Sequence, residues 1–133
     1  MKLRELNTAL LLVDIQKGFD NEAYWGGNRN NKDAEEKCAQ ILKEWRTLRL
    51  PVYHIQHSSQ NPKSLLHKSH PGFEIQDIVK PLPSEPVIVK DVNSAFIGTN
   101  LDYFTFSLYI ICFFFLHHSC FLRAVSQYTK GVR

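Results

Sequence analysis

Two charged residues stand at positions where parallel sheets carry out chemistry. Asp14 follows the uninterrupted apolar run Thr8–Val13, and Lys90 ends the short apolar run that begins at Val87. Both runs are typical of buried parallel strands, and ligands of such sheets bind outside the carboxyl ends of the strands. If the two strands are neighbours, Asp14 and Lys90 come within reach and form an acid/base centre. A structural interpretation remains open, with Asp14 capping a turn and Lys90 solvated.

Aromatic and polar residues near these strand ends are candidates for substrate contacts. The glycine- and asparagine-rich loop that follows the first strand carries three aromatic side chains, Phe19, Tyr24 and Trp25. They either line a pocket or serve as packing residues. Asn93 and Phe96 follow Lys90 closely enough to face the same edge of the sheet, although Asn93 also suits a turn.

The cysteines and histidines favour neither a disulfide framework nor a metal site. The three cysteines, Cys38, Cys112 and Cys120, are an odd number without C-x-x-C spacing, which indicates a reducing compartment and predicts a cytoplasmic protein. His54 and His57 stand three apart on a predicted strand, so they point to opposite faces and do not chelate together. We therefore predict no metal ion.

Strands that alternate with a helix must position these residues. An N-cap at Asp33, with Glu36 three residues later, predicts an amphipathic helix that ends before Pro51. Strands are predicted at Thr8–Asp14, Pro51–His57, Val87–Lys90 and Leu108–Leu116. A further helix is predicted to begin near Thr99, and a long loop is predicted over Ser58–Pro86. A strand, helix and strand in this order form a right-handed βαβ unit, so the predicted fold class is α/β with a mainly parallel sheet.

Composition limits the remaining classes of protein. The length of 133 residues suits one domain, 1–133, and 44% apolar with 22% charged residues excludes a disordered chain. The net charge of +3 is dispersed, so no nucleic-acid partner is predicted. Residues 102–133 form an atypical apolar tail that holds one of the 13 acidic residues and 9 of the 16 aromatic ones. Its apolar run is too short to span a membrane, so no membrane partner is predicted.

Four segments of the chain resemble the isochorismatase-like cysteine hydrolases. They occur in order between about residues 8 and 101, as Leu11–Phe19, Tyr24–Gly27, His54–His57 and Val89–Thr99. The resemblance implies a three-layer α/β/α, Rossmann-like fold, and members that often form homo-oligomers. No cofactor is predicted. It also implies an Asp–Lys–Cys triad that hydrolyses a small amide-type substrate, with Asp14 as acid/base and Lys90 supporting the nucleophile.

The third member of that triad is not in register. The family's nucleophile position falls at Arg123 here, and Cys120, three residues earlier, is the candidate nucleophile. The tail departs from the family pattern, so the sheet is expected to be incomplete at its C-terminal end. The alternative is a catalytically inactive, truncated fragment, or an interaction module with an exposed aromatic tail.

Overall fold

A computed structural model describes residues 5, 7–27, 29 and 32–101 with their side chains, and the backbone of residues 109–116 and 119–125. The long helix of this part is α1, Ala34–Thr47. Short 3-10 helices lie at Lys17–Asp20, Pro71–Phe73 and Asp77–Val79. The strands are β1 (Thr8–Val13), β2 (Val52–His57), β3 (Val87–Lys90), β4 (Tyr109–Leu116) and β5 (Ser119–Val125).

The five strands form one sheet in the order β3-β2-β1-β4-β5. The pairs β1–β2, β2–β3 and β1–β4 are parallel, and only β5 runs antiparallel to its neighbour β4. The four predicted strands and the α/β fold class are therefore confirmed, whereas β5 was not predicted. Its sequence, which includes Ser119 and Arg123, lacks the continuous apolar character that identified the other strands.

Alternating residues of the sheet build two cores, one on each face. On one face, Leu10 and Leu12 of β1 pack with residues of α1 such as Leu42. On the other face, Leu11 of β1 packs with a group that includes Leu101. Leu101 has helical backbone where a helix was predicted to begin near Thr99, and the rest of that predicted helix lies outside the described residues.

The start of α1 differs from the predicted capping box. Asp33 occupies the N-cap position, but its side chain makes no capping hydrogen bond. Its carboxylate instead pairs with Lys37 one turn later, at 3.1 Å. The helix therefore derives its stability mainly from the buried face that carries Cys38, Leu42 and Trp45.

A partly buried charge cluster connects α1 to β2 and to the loop before β3. Arg46, in the last turn of α1, binds both carboxylate oxygens of Glu85 at 2.7 and 2.8 Å. Nε2 of His54, on β2, lies 2.8 Å from Oε2 of Glu85. Burial alone would raise the pKa of Glu85, but the hydrogen bonds from Arg46, His54 and the Leu82 amide lower it to about 2 from its usual 4.5.

The variant Glu85→Gln should lower the free energy of unfolding at pH 7 by on the order of 2 kcal/mol, because it leaves the Arg46 guanidinium without its counter-charge. Since the pKa of Glu85 is lower in the folded state, its contribution is present above pH 4.5 and disappears as pH falls towards about 2. Urea unfolding at pH 7 and pH 3 measures both effects. The exposed Glu44→Gln on α1 is the matched control, and equal losses in the two variants would contradict the prediction.

Candidate functional site

Asp14 is held in a specific backbone conformation at the carboxyl edge of the sheet. It follows β1 with a φ of 61°, in the left-handed region that aspartate tolerates better than most residues. Its amide donates to the carbonyl of Ile55 at 2.9 Å, and the residue is only 9% exposed. Such conformations are concentrated at functional sites because the surrounding structure must enforce them.

Lys90 reaches Asp14 across an intervening strand. The condition stated from the sequence, that the two strands be neighbours, was wrong, because β2 lies between β1 and β3. The lysine side chain nevertheless spans that gap, and its Nζ donates to Oδ2 of Asp14 at 3.0 Å. It also donates to the carbonyls of Val92 and Asn93 at 3.3 and 3.1 Å. All three ammonium protons of this buried lysine are thereby used.

The two oxygens of Asp14 have different surroundings. Oδ2 accepts the hydrogen bond from Lys90, whereas Oδ1 is buried and has no hydrogen-bond partner among the described residues. Burial raises the pKa of Asp14, and the charge and hydrogen bond of Lys90 and the charge of His57 oppose that shift. A carboxylate with a raised pKa and one oxygen that has no described hydrogen-bond partner is suited to accept and return a proton.

A cleft of about 400 Å³ opens over this pair. Trp25 stacks on Phe19 with ring centres 5.1 Å apart, and Tyr24 packs edge-on against it at 4.7 Å. The indole Nε1 of Trp25 donates to the carbonyl of Gly18 at 2.8 Å, which fixes the ring plane. One wall of the cleft is therefore aromatic, and all three loop aromatics predicted as substrate contacts lie along it.

The rest of the cleft lining contains residues that the sequence analysis did not predict as substrate contacts. It includes His57 at the end of β2 and residues of the following loop, namely Ser59, Asn61, Ser64 and Leu66. The signal that could have found them is the long Ser58–Pro86 loop, because a loop of that length in a compact domain is usually functional. The sequence brings out His57 as part of a family segment and disfavours it as a metal ligand, without a role in substrate binding.

Gln16 joins this loop to the sheet. Its buried side chain accepts from the amide of His57 at 2.8 Å and donates to the carbonyls of His57 and Phe73 at 3.0 and 2.7 Å. The backbones of Gly18 and Gly72 are also in close contact, since a Cβ at Gly72 would lie 2.7 Å from the Cα of Gly18. Any side chain at Gly72 would therefore displace the loop.

The remaining predicted site residues occupy different places. Asn93 lines the cleft, whereas Phe96 is not among its lining residues and is 36% exposed. Cys120 lies on β5 and pairs with Phe115 of β4. The residue before Phe115, Phe114, pairs with Val13 of β1, which is the residue before Asp14. The backbone of Cys120 is thus level with Asp14 along the sheet, two strand spacings or about 10 Å away.

Two other features are absent from the described part of the chain. No three histidine, cysteine, aspartate or glutamate side chains there could together hold a metal ion. None of the helices in the described ranges is long and apolar enough to cross a membrane.

Comparison with known proteins supports the resemblance seen in the sequence. The family model for the isochorismatase domain matches residues 8–105. The isochorismatase family protein YrdC of Bacillus subtilis (strain 168) is 49% identical over 100 residues, which cover 75% of this chain and 52% of the relative. The chain spans about half the length of the curated relatives it matches.

Solved structures share the fold. An isochorismatase family protein from Chromobacterium violaceum ATCC 12472 matches with a TM-score of 0.70 and 39% identity, over 79% of this chain and 56% of that one. The N-carbamoylsarcosine amidase from Thermoplasma acidophilum has a TM-score of 0.64 at 21% identity, over 80% of this chain and 66% of its own. With a family model over most of its length and a relative at 49% identity, this chain belongs to the isochorismatase family.

Proposed function

We propose that this chain is a cysteine hydrolase that cleaves the C–N bond of a small amide with Asp14, Lys90 and Cys120. The observation that carries the proposal is the buried pair of Asp14 and Lys90 at the cleft, with Oδ1 of Asp14 lacking a hydrogen-bond partner among the described residues. A buried ion pair that leaves one carboxylate oxygen without a described partner is costly for stability and useful for proton transfer.

In the proposed reaction, Oδ1 of Asp14 takes the thiol proton of Cys120, and the sulfur attacks the amide carbonyl. The C–N bond then breaks as Asp14 returns that proton to the leaving nitrogen, which gives a thioester and a free amine. Water attacks the thioester, Asp14 accepts a water proton, and the C–S bond breaks as the sulfur regains a proton. The net change is amide plus water to carboxylic acid plus amine.

Lys90 acts in this scheme as a fixed positive charge. Because its three donors are bound to Asp14 and to two backbone carbonyls, it has no proton left for the substrate. Its charge favours the ionised form of Asp14 and of a nearby thiol. The hydrogen bonds to Val92 and Asn93 also fix the segment that brings Asn93 to the cleft.

The size and lining of the cleft support a small substrate. A volume of about 400 Å³ lies towards the small end of the range for ligand sites. The aromatic wall offers flat apolar surface, and the hydroxyl groups of Ser59 and Ser64 in the same lining, which each accept one backbone N–H, keep a proton to donate. The amidase from Thermoplasma shares this fold, and an amide-type substrate is the corresponding proposal here.

Thiol labelling tests the nucleophile directly. Iodoacetamide near pH 7, followed by peptide mass analysis, should modify Cys120 at least about tenfold faster than Cys38, which is fully buried, or Cys112. Loss of amide hydrolysis, measured as amine release, should follow the labelling of Cys120. The matched control is Cys112→Ala, which removes the thiol from the neighbouring strand β4 and should retain both fast labelling and hydrolysis.

Three equally slow thiols would contradict a cysteine nucleophile. If hydrolysis were also absent from a series of small amides, the inactive interaction module considered from the sequence would be favoured.

A further inference from the structure

His57 occupies the centre of the site without a role in the proposed triad. It is the last residue of β2, the strand between those that end at Asp14 and Lys90, and its Cα is paired with that of Lys90. Gln16 holds both its backbone amide and its carbonyl, at 2.8 and 3.0 Å. The backbone is therefore fixed, and the imidazole lines the cleft.

Most other polar groups of the cleft are already engaged. The ammonium of Lys90 has three acceptors, and one oxygen of Asp14 is bound to it. The side-chain oxygens of Ser59, Asn61 and Ser64 accept backbone N–H groups of their own loop. The ring of His57, by contrast, makes no hydrogen bond to any residue that the structure describes.

The charges around His57 favour its neutral form. Burial is the main effect that lowers the pKa of this imidazole, and Lys90 on β3 lowers it further. Asp14 after β1 and Asp91 after β3 act in the opposite direction without reversing the shift. A neutral imidazole has one N–H donor and one acceptor nitrogen, so it can bind either part of an amide.

We propose that His57 is a substrate-contacting residue that hydrogen-bonds an uncharged polar group of the substrate and so selects amides over carboxylates. This inference rests on the proposed function, which it deepens. Among the described residues, the charged groups that line the cleft are Asp14 and Lys90, which form an ion pair. An anionic ligand in the cleft would therefore lie beside the Asp14 carboxylate, and Lys90, the cation among the described lining residues, is already paired.

Calorimetric titration of the full chain with benzamide, and with benzoate as its matched anion, tests the proposal. We expect benzamide to bind the wild type and benzoate to bind at least about tenfold more weakly, because the carboxylate meets Asp14. His57→Leu should raise the Kd of benzamide about tenfold through loss of one hydrogen bond. His57→Gln, which keeps a donor and an acceptor, should restore most of the lost affinity. In hydrolysis, His57→Leu should raise KM about tenfold and change kcat by less than about threefold.

A histidine outside the cleft provides the control. His67 lies in the same loop region with its ring against Ser69, and His67→Leu should leave the Kd unchanged. Equal Kd values in the wild type and His57→Leu would overturn the role of His57 and leave the proposed function standing. Failure of the wild type both to bind benzamide and to hydrolyse any small amide would overturn the proposed function as well.

Discussion

Replacing Asp14 by asparagine should lower kcat/KM for amide hydrolysis at least about 1000-fold, because the amide cannot accept the thiol proton. Asparagine has the size of aspartate and tolerates the left-handed φ of 61° equally well. It also retains an oxygen that can accept from Lys90. The loss would therefore report on the missing carboxylate and not on a displaced backbone.

The stability of Asp14→Asn separates a catalytic from a structural role. Because burial raises the pKa of Asp14 in the folded state, its ionisation costs stability as pH rises through that pKa. The substitution removes this cost, while Lys90 loses its counter-charge. The two effects oppose each other, so we expect a change within about 1 kcal/mol at pH 7. Urea unfolding measures it, and a large loss of stability together with the lost activity would indicate a structural role.

The parts of the site that follow local rules could be predicted from the sequence. An apolar run that ends in a charged residue identifies a buried parallel strand and also the edge where ligands bind, and this located Asp14 and Lys90. Strand order is not contained in such local patterns. The contact between the two residues therefore depends on the lysine side chain spanning β2, which only the structure reveals.

Contacts between distant segments escaped prediction for the same reason. Gln16 and His57 are 41 residues apart in the chain, and nothing in either local sequence indicates that they meet. Glu85, in a proline-rich loop, gives no local sign of its partners Arg46 and His54. These polar side chains fix the geometry of the loop and the helix through a few specific hydrogen bonds, which have no periodicity to detect.

The candidate nucleophile illustrates the limit of a spacing argument. Counting from Lys90 placed the family position at Arg123, whereas the register of β5 brings the backbone of Cys120 level with Asp14. Because β5 runs antiparallel to β4, it begins at the carboxyl edge of the sheet and leads away from it, so Cys120 is nearer to that edge than Arg123. The role of Cys120 itself stays a prediction, which the labelling experiment addresses.

Replacing Lys90 by methionine should impair both stability and catalysis. The variant leaves the buried carboxylate of Asp14 without a cation, which should lower the free energy of unfolding at pH 7 by about 3 kcal/mol. The charge and hydrogen bond of Lys90 oppose the effect of burial on Asp14, so their removal should raise the pKa of Asp14 further. The acid limb of the kcat/KM profile should therefore move to higher pH, by about one unit or more.

A double variant distinguishes the loss of the ion pair from a loss of packing. If the unpaired carboxylate is the cause, Asp14→Asn combined with Lys90→Met should be more stable than Lys90→Met alone, since it removes the charge that Lys90→Met leaves unpaired. Lowering the pH should likewise stabilise the single variant relative to wild type, as Asp14 becomes protonated. If the double variant is as unstable as the single one at every pH, Lys90 contributes through its hydrogen bonds to the Val92 and Asn93 carbonyls, and its role as the counter-charge of Asp14 is wrong.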